Sequence, residues 1–490
     1  MLNRRNLLKF AAGGGAVALA PWDRLLSGGA PASSPHAAHA GAAGVAAEAA
    51  NSVPFAHEMP VPPVLAPAER TAAADVYRIR MREVPFEIVR GLTSTVRTYE
   101  GRFPGPTIRA TRDRPVRVVQ TNDLAVDTAV HLHGGHVRSV DDGLPMDVIP
   151  PGGERAYHYP NHQRAASLWY HDHAHHLEAE NVYHGLHGLY LISDEHERSL
   201  PLPAGAYDVP LVIRDARVEE DGTLTYIRPS DCPHMLVNGK ERPYFRVAAR
   251  RYRLRVYNAC ANRYLRLRLA DGSAVTQIAS DGGLLREPVE RTEITLLGGE
   301  RVELVVDFSR YSVGDSVVLE NAGALDTERP EVLRFDVDRA APDDSSVPAR
   351  LADLPQPPTG TAERVFDLAT FPTMSINGRT YDPERVDVET RVGASEIWTV
   401  NNVDDPVAPP DFHVWHSFHT HQVHFHVVER NGGAPGLADL GLKDTVTVGP
   451  GESVRIAMTW GPYAGEYLFH CHQLGHAVDG QMGRVDVLEA

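Results

Sequence analysis

Past the first twenty residues the chain lacks any run of about 18 apolar residues, so no membrane-spanning helix is expected in the body of the protein. Positive charge is also short. Its 48 lysine and arginine residues stand against 64 aspartate and glutamate, a net charge of −16, so neither nucleic acid nor an anionic membrane is an expected partner. Lysine is almost missing within that small basic set, and the arginine excess reads as compositional bias. Cysteine is scarce, with three in 490 residues. Cys471 lies between two histidines, which leaves Cys232 and Cys260 either to form one disulfide or to stay reduced. What the chain does have is 25 histidines, many of them clustered, on a length that calls for two to four domains.

The N-terminal stretch MLNRRNLLKFAAGGGAVALA pairs Arg4 with Arg5 ahead of a weakly apolar, glycine-containing segment. It resembles a twin-arginine export signal, with a leader running to residue 40 and Ala38-His39-Ala40 as a candidate cleavage site. Residues 41–69 are expected to be disordered. That route carries folded proteins, which suits one that loads a metal before export, and a secreted or periplasmic location follows.

Two motifs recur three times. A Gly-Glu turn leads into a strand at Glu154, Glu300 and Glu452, and a strand ends in asparagine at Asn122, Asn258 and Asn401. Two motifs sharing one period mean three copies of a domain of about 130 to 150 residues. Each copy consists of short alternating runs such as VRVVQ, YRLRV, EIWTV and VRIAM between Gly, Pro, Asn and Asp turns. That pattern predicts an all-β, antiparallel sandwich with little helix. The expected domains are 70–198, 203–338 and 362–490, with a linker over 339–361.

The clustered histidines fall only in the first and third copies: HLHGGH (His131, His133), WYHDH (His171, His173), HSFHTH (His416, His419, His421) and YLFHCHQLGH (His470, His472, His476). Side chains on a strand alternate between faces, so the two ends of an H-x-H unit point one way. In His470-Cys471-His472 the same rule sends the sulfur to one face and both imidazoles to the other. His416 has the opposite parity to His419 and His421 and sides with Cys471. Cys471, His416 and His476 then make a thiolate with two imidazoles, the donor set of a blue, electron-transferring copper. The remaining eight imidazoles suffice for three more coppers. Zinc is disfavoured, since structural zinc takes more thiolates.

These four motifs, with FPGPTIRA at 103–110, resemble the three-domain multicopper oxidases. AYHYPNHQRAASLWYHDH, LVNGK, SDGGLL and DGLPMD resemble the spore-coat laccase and bilirubin oxidase branch more narrowly. The resemblance implies three consecutive cupredoxin-like Greek-key β-sandwich domains and four coppers per chain, one type 1, one type 2 and two type 3. By position, His131 and His419 would bind type 2. His133, His171, His173, His421, His470 and His472 would hold the type 3 pair, and Asp142 would help deliver protons. Electrons from a small-molecule reductant would pass through Cys471 to His470 and His472, and O2 would become water. Phenols, aromatic amines and bilirubin-like tetrapyrroles are the expected substrates, and the expected state is a monomer. Eight methionines without a cluster argue against a cuprous oxidase. The alternative is a copper-binding or copper-tolerance protein with little turnover. Three departures stand out: Gln481 takes the axial methionine's place with Met482 next to it, Ser417 replaces a proline, and Ala477 replaces a glutamate linked to proton supply.

Overall fold

Alternation makes the strands. Leu265–Leu269, reading Leu-Arg-Leu-Arg-Leu, buries each leucine and exposes each arginine. Ser395–Asn402 buries every second side chain, among them Trp398 and Val400, types that pack well on a pleated surface. The computed structural model describes residues 53–227, 232–324, 329–359, 362–407 and 413–490; the paired arginines and the leader lie outside the described residues. Among these, 31 strands form six sheets. Glu69–Ser193 supplies sheets of five and four strands, Asp208–Ala340 sheets of seven and five, and Ala362–Leu488 two sheets of five.

Each pair of sheets encloses one core. In the first, Ile79, Val118 and Tyr157 meet Leu132, Leu168 and Tyr190. In the second, Leu211 and Leu254 meet Leu319 and Phe335, and in the third, Trp398 and Ile456 meet Phe418 and Phe469. This is the all-β organisation of three sandwiches expected from the sequence. Most neighbouring strands are antiparallel, but every sheet contains one parallel pair, such as Asp75–Glu87 beside Val116–Asn122. A parallel pair needs a connection that crosses between sheets, and this crossing is what closes a Greek key.

The repeat has a structural basis, with its register moved by one in two places. Asn122, Asn258 and Asn402 donate from their backbone to Gly153, Glu300 and Glu452, and accept from Gly152, Gly299 and Gly451. Their side-chain amides each reach two further carbonyls, those of Val126 and Ile149, Arg263 and Leu296, or Val414 and Val448. The third anchor is therefore Asn402 rather than Asn401, and Gly153 rather than Glu154 matches Glu300 and Glu452. What the turn conserves is left-handed backbone at Gly152, Gly299 and Gly451, with φ of 75, 92 and 73°, a conformation glycine adopts without strain.

Two segments expected to be loose are docked. From residue 53 the N-terminal segment is ordered: Phe55 and Met59 donate from their backbones to Arg242 and Tyr244, and Met59 enters the second core. An unpaired strand edge and an apolar side chain are enough to dock a segment rich in alanine and proline. In the expected linker, Leu351 is buried beside Leu202, Ile278 and Leu285, and Ser346 donates to the Pro201 carbonyl. Cys232 and Cys260 form no disulfide; their sulfurs lie near the Tyr183 hydroxyl and the Ile213 carbonyl.

Candidate metal centre

Strand β1 (Val130–His133) pairs with β2 (Ala166–Asp172), setting His131 opposite His171. In the third sandwich β3 (His416–Thr420) pairs with both β4 (Thr445–Val448) and β5 (Gly465–Cys471), setting His419 opposite His470. Each sandwich thus presents two H-x-H units on neighbouring strands, facing the other sandwich. All eight imidazoles are 1% exposed or less.

They sort into three sets, each drawn from both sandwiches. The Nε2 atoms of His173 and His421 lie 3.4 and 3.3 Å from His470 Nε2. His472 Nε2 lies 3.1 Å from His133 Nδ1 and 3.4 Å from His171 Nε2. His131 and His419 donate through Nδ1 to the carbonyls of Asp142 and Asp444, at 2.7 and 2.8 Å, which leaves both Nε2 atoms buried without a partner. Burial holds His133, His171, His173, His419, His421 and His472 far below the usual imidazole range and His470 at about 4, so these rings are neutral at pH 7. Neutral nitrogens a little over 3 Å apart, with unpartnered nitrogens beside them, suit cations that take imidazole ligands. No carboxylate joins the two trios, and this favours copper over hard, oxygen-seeking ions.

Two carboxylates hold the array from outside. Asp142 accepts from His421 Nδ1 at 2.6 Å. Gly143 beside it requires φ of +73°, and a Cβ there would sit 2.2 Å from the Val130 carbonyl, so this turn keeps Asp142 against β1. Asp444 is the counterpart in the third sandwich, accepting from His133 Nε2 at 3.0 Å and from both ends of the Arg301 guanidinium at 2.5 and 2.6 Å. Burial would raise its carboxyl, but Arg301 and His133 hold it well below the usual range. Because Asp444 occupies Nε2 of His133, that ring alone in the two trios presents Nδ1. Sequence reasoning missed Asp444, and no local spacing marks it. It also missed Glu178, buried on helix α1 (Glu178–His184), whose Oε2 lies 3.6 Å from His173 Nδ1.

Cys471 points the other way. Its sulfur is 3.5 Å from His416 Nδ1 and 3.5 Å from His476 Nδ1, and those two nitrogens are 3.3 Å apart. Burial would raise the thiol, yet His476 and His416 bring it down to about 5, so it is a thiolate at neutral pH. Asp404, also missed, accepts from His416 Nε2 at 3.0 Å and from the backbone and hydroxyl of Thr370, which turns Nδ1 toward the sulfur.

Gln481 and Met482, the two residues weighed as a further ligand beside Cys471, lie on opposite faces. In the ladder between β5 and β6 (Met482–Leu488), Met482 pairs with His470, so it shares that imidazole's face and packs with Leu468 and Ala477. Gln481 sits one residue earlier, its carbonyl accepting from the Cys471 N–H, on the sulfur's side. The Gln481 amide nitrogen donates to Ala369, and its Oε1 is buried without a partner. Ala477 lies on helix α2 (Leu474–Val478) in an apolar pocket.

Multicopper oxidase family models match residues 80–197 and 347–490. The laccase of Bacillus subtilis is 34% identical, with 89% of this chain and 98% of that protein aligned. The bilirubin oxidase of Albifimbria verrucaria is 34% identical over 86% of this chain and 79% of its own length. The crystal structure of a laccase from Pediococcus acidilactici superposes with a TM-score of 0.82 at 30% identity, covering 89% of this chain and 95% of that one. With family models at both ends and relatives above 30% identity along most of its length, the chain belongs to the multicopper oxidases, copper oxidoreductases that use O2.

Proposed function

We propose that this multicopper oxidase is a laccase-like enzyme acting on phenols, aromatic amines or bilirubin-like tetrapyrroles. His416, Cys471 and His476 would hold a type 1 copper, with Gln481 as a further ligand. His131 and His419 would hold type 2, and the trios His173, His421, His470 and His133, His171, His472 a type 3 pair. When bound, these four coppers supply one-electron oxidation of the reductant at the first site and four-electron reduction of O2 to two waters at the other three.

The observation that carries the reading is the alternation of β5. Cys471 faces one donor set while its bonded neighbours His470 and His472 face two different trios, so a few covalent bonds join the sites. The chain's other tasks are static. Asp404 and Asp444 fix the inward nitrogens of His416 and His133, burial excludes bulk water, and Asp142 is the acid assigned to proton supply. Substrate class is supported by the laccase and bilirubin oxidase relatives. Val403 and Val407, 52 and 86% exposed on the loop that carries Asp404, together with exposed Phe371, offer an apolar landing surface for an aromatic molecule. Export by the twin-arginine route and a monomeric state belong to the same proposal. Among the described residues no helix is long and apolar enough to cross a membrane.

The test is oxygen uptake by the copper-loaded protein mixed with a phenolic dye. Uptake at one O2 per four single-electron oxidations supports the enzyme. Copper bound in full with no uptake leaves the copper-holding alternative. Two predictions concern the first site. Gln481→Met should raise its reduction potential, followed by redox titration of the blue absorption, because a thioether donates less to oxidised copper than an amide oxygen; an unchanged potential would point to Met482 or to no axial donor. Asp404→Asn removes the charge behind His416 and should cost about 10- to 100-fold in copper affinity or activity while raising the potential. Wild-type values of all three would mean that the aspartate only ties down its loop.

A further inference from the structure

LVNGK, residues 236–240, supplies nothing to either donor set; it forms a hairpin. The strand His234–Val237 turns back through Asn238 and Gly239, both left-handed with φ of 50 and 84°, into Lys240 and Glu241. Leu236 pairs with Glu241, so His234, two residues back along its strand, stands on the face that these two share. His234 Nδ1 donates to Glu241 Oε1 at 2.8 Å, and the Arg242 guanidinium donates to the same oxygen at 3.0 Å. His234 and Glu241 are each 4% exposed, and His234 Nε2 is buried without a partner.

This imidazole lines a cleft of about 320 Å³. The apolar walls come from three stretches of chain: Val53 and Ala56 of the docked N-terminal segment, Val89 and Leu92 of the first sandwich, and Val218 of the second. We propose that the cleft binds an uncharged, single-ring aromatic molecule bearing one hydroxyl, whose O–H is donated to His234 Nε2. The site goes beyond the oxidase reading and does not depend on it.

Size, charge and donor chemistry each narrow the occupant. Ligand cavities run from about 300 to 1,000 Å³, so this one has room for a single ring and not for a tetrapyrrole. A neutral imidazole with its proton at Nδ1 offers only a lone pair at Nε2, and its ligand must donate. His57, the other imidazole in the cleft, already donates through Nε2 to Glu87 Oε2 at 3.2 Å. Exposed Arg90 and Glu220 balance each other in charge, and Glu241 is matched by Arg242, so no net charge is selected. A metal ion lacks donors, because among the described residues no converging trio of ligand atoms includes His234. A hydroxyl would satisfy the polar atom left unpaired there, and the ring would cover Val53, which is 67% exposed.

The experiment is calorimetric titration of the copper-loaded protein at pH 8 with three probes: benzyl alcohol, toluene and benzoate. Benzyl alcohol should bind saturably at one site with a Kd of about 1 mM or below. Toluene, which has the ring without the donor, should bind about tenfold more weakly, and benzoate not at all. His234→Phe should erase the preference for benzyl alcohol over toluene, and Ala56→Trp, which fills the cleft, should abolish binding of both. Copper content and dye oxidation should stay at the unmodified level in both variants. Toluene binding as tightly as benzyl alcohol overturns the assignment, as does benzoate binding as tightly. Heat that survives Ala56→Trp unchanged places the molecule elsewhere and does the same. Should a variant fail to fold, the ranking of the three probes on the unmodified protein still decides, and no saturable binding of benzyl alcohol at ten times the expected Kd refutes the site.

Discussion

Cys471→Ser is expected to abolish both the blue absorption and oxidation of a phenolic dye, while most of the copper remains bound. Serine is close in size to cysteine, so the fully buried position keeps its packing. It does not keep the donor. The Cys471 thiol is held near 5 by His476 and His416 and is anionic at neutral pH, whereas a serine hydroxyl stays protonated. The sulfur is the only soft ligand in its set, and the blue colour belongs to the bond between thiolate and copper. His470 and His472 point to the other face of the strand and keep all their contacts, so the copper proposed for the imidazole sets should survive in a copper assay. Dye oxidation should fall to the level of copper-free protein. Dye oxidation persisting after the colour has gone would show that electrons reach the imidazoles without Cys471, and the separation of sites by strand alternation would lose its meaning.

That separation was legible because it is local. The parity of residues 470 to 472, and the odd spacing that sends His416 to the sulfur's side, need only a strand. The sorting of eight imidazoles into two trios and a pair was not legible, since it depends on how two sandwiches about 300 residues apart in sequence face each other. Asp444 and Arg301 illustrate the same limit. One comes from the third sandwich and the other from the second, and only their meeting fixes His133. In YRLRVYN the alternation alone does not say where the arginines go. Its alternating arginines look like a solvent face, but Arg253 and Arg255 are buried against Glu303, Glu197 and Asp208, sealing the first sandwich to the second. An arginine excess that looked like mere composition is partly an interface. The repeat register differs by one in two places because the fold aligns a left-handed glycine and the carbonyls that its asparagine can reach, not like residues.

Stripping the copper should make the protein acid-labile, with the effect centred on the contact between the first and third sandwiches. In the unfolded chain a histidine titrates near 6.5. In the folded, metal-free protein burial keeps seven of the eight array imidazoles neutral far below that, His470 down to about 4. The unfolded state thus binds more protons at any pH below about 6.5. Stability is whole above that pH and drains away as the pH falls toward 4. Each such group is worth about 1.4 kcal/mol per pH unit, so two or three that cannot open to water would exhaust a marginal stability of ~5 kcal/mol within two units. Copper bound only to the native state opposes this twice: it adds about 4 kcal/mol per site at a thousandfold excess over its dissociation constant, and it competes with protons for the same lone pairs. Thermal unfolding of chelated and copper-loaded protein at pH 7.5, 6.5 and 5.5 measures both. The chelated protein should melt lower throughout and lose ground steeply below 6.5, while the loaded protein shifts little. Parallel curves would mean that the rings turn outward once the metal leaves, so that the two sandwiches are joined by their apolar and carboxylate contacts alone.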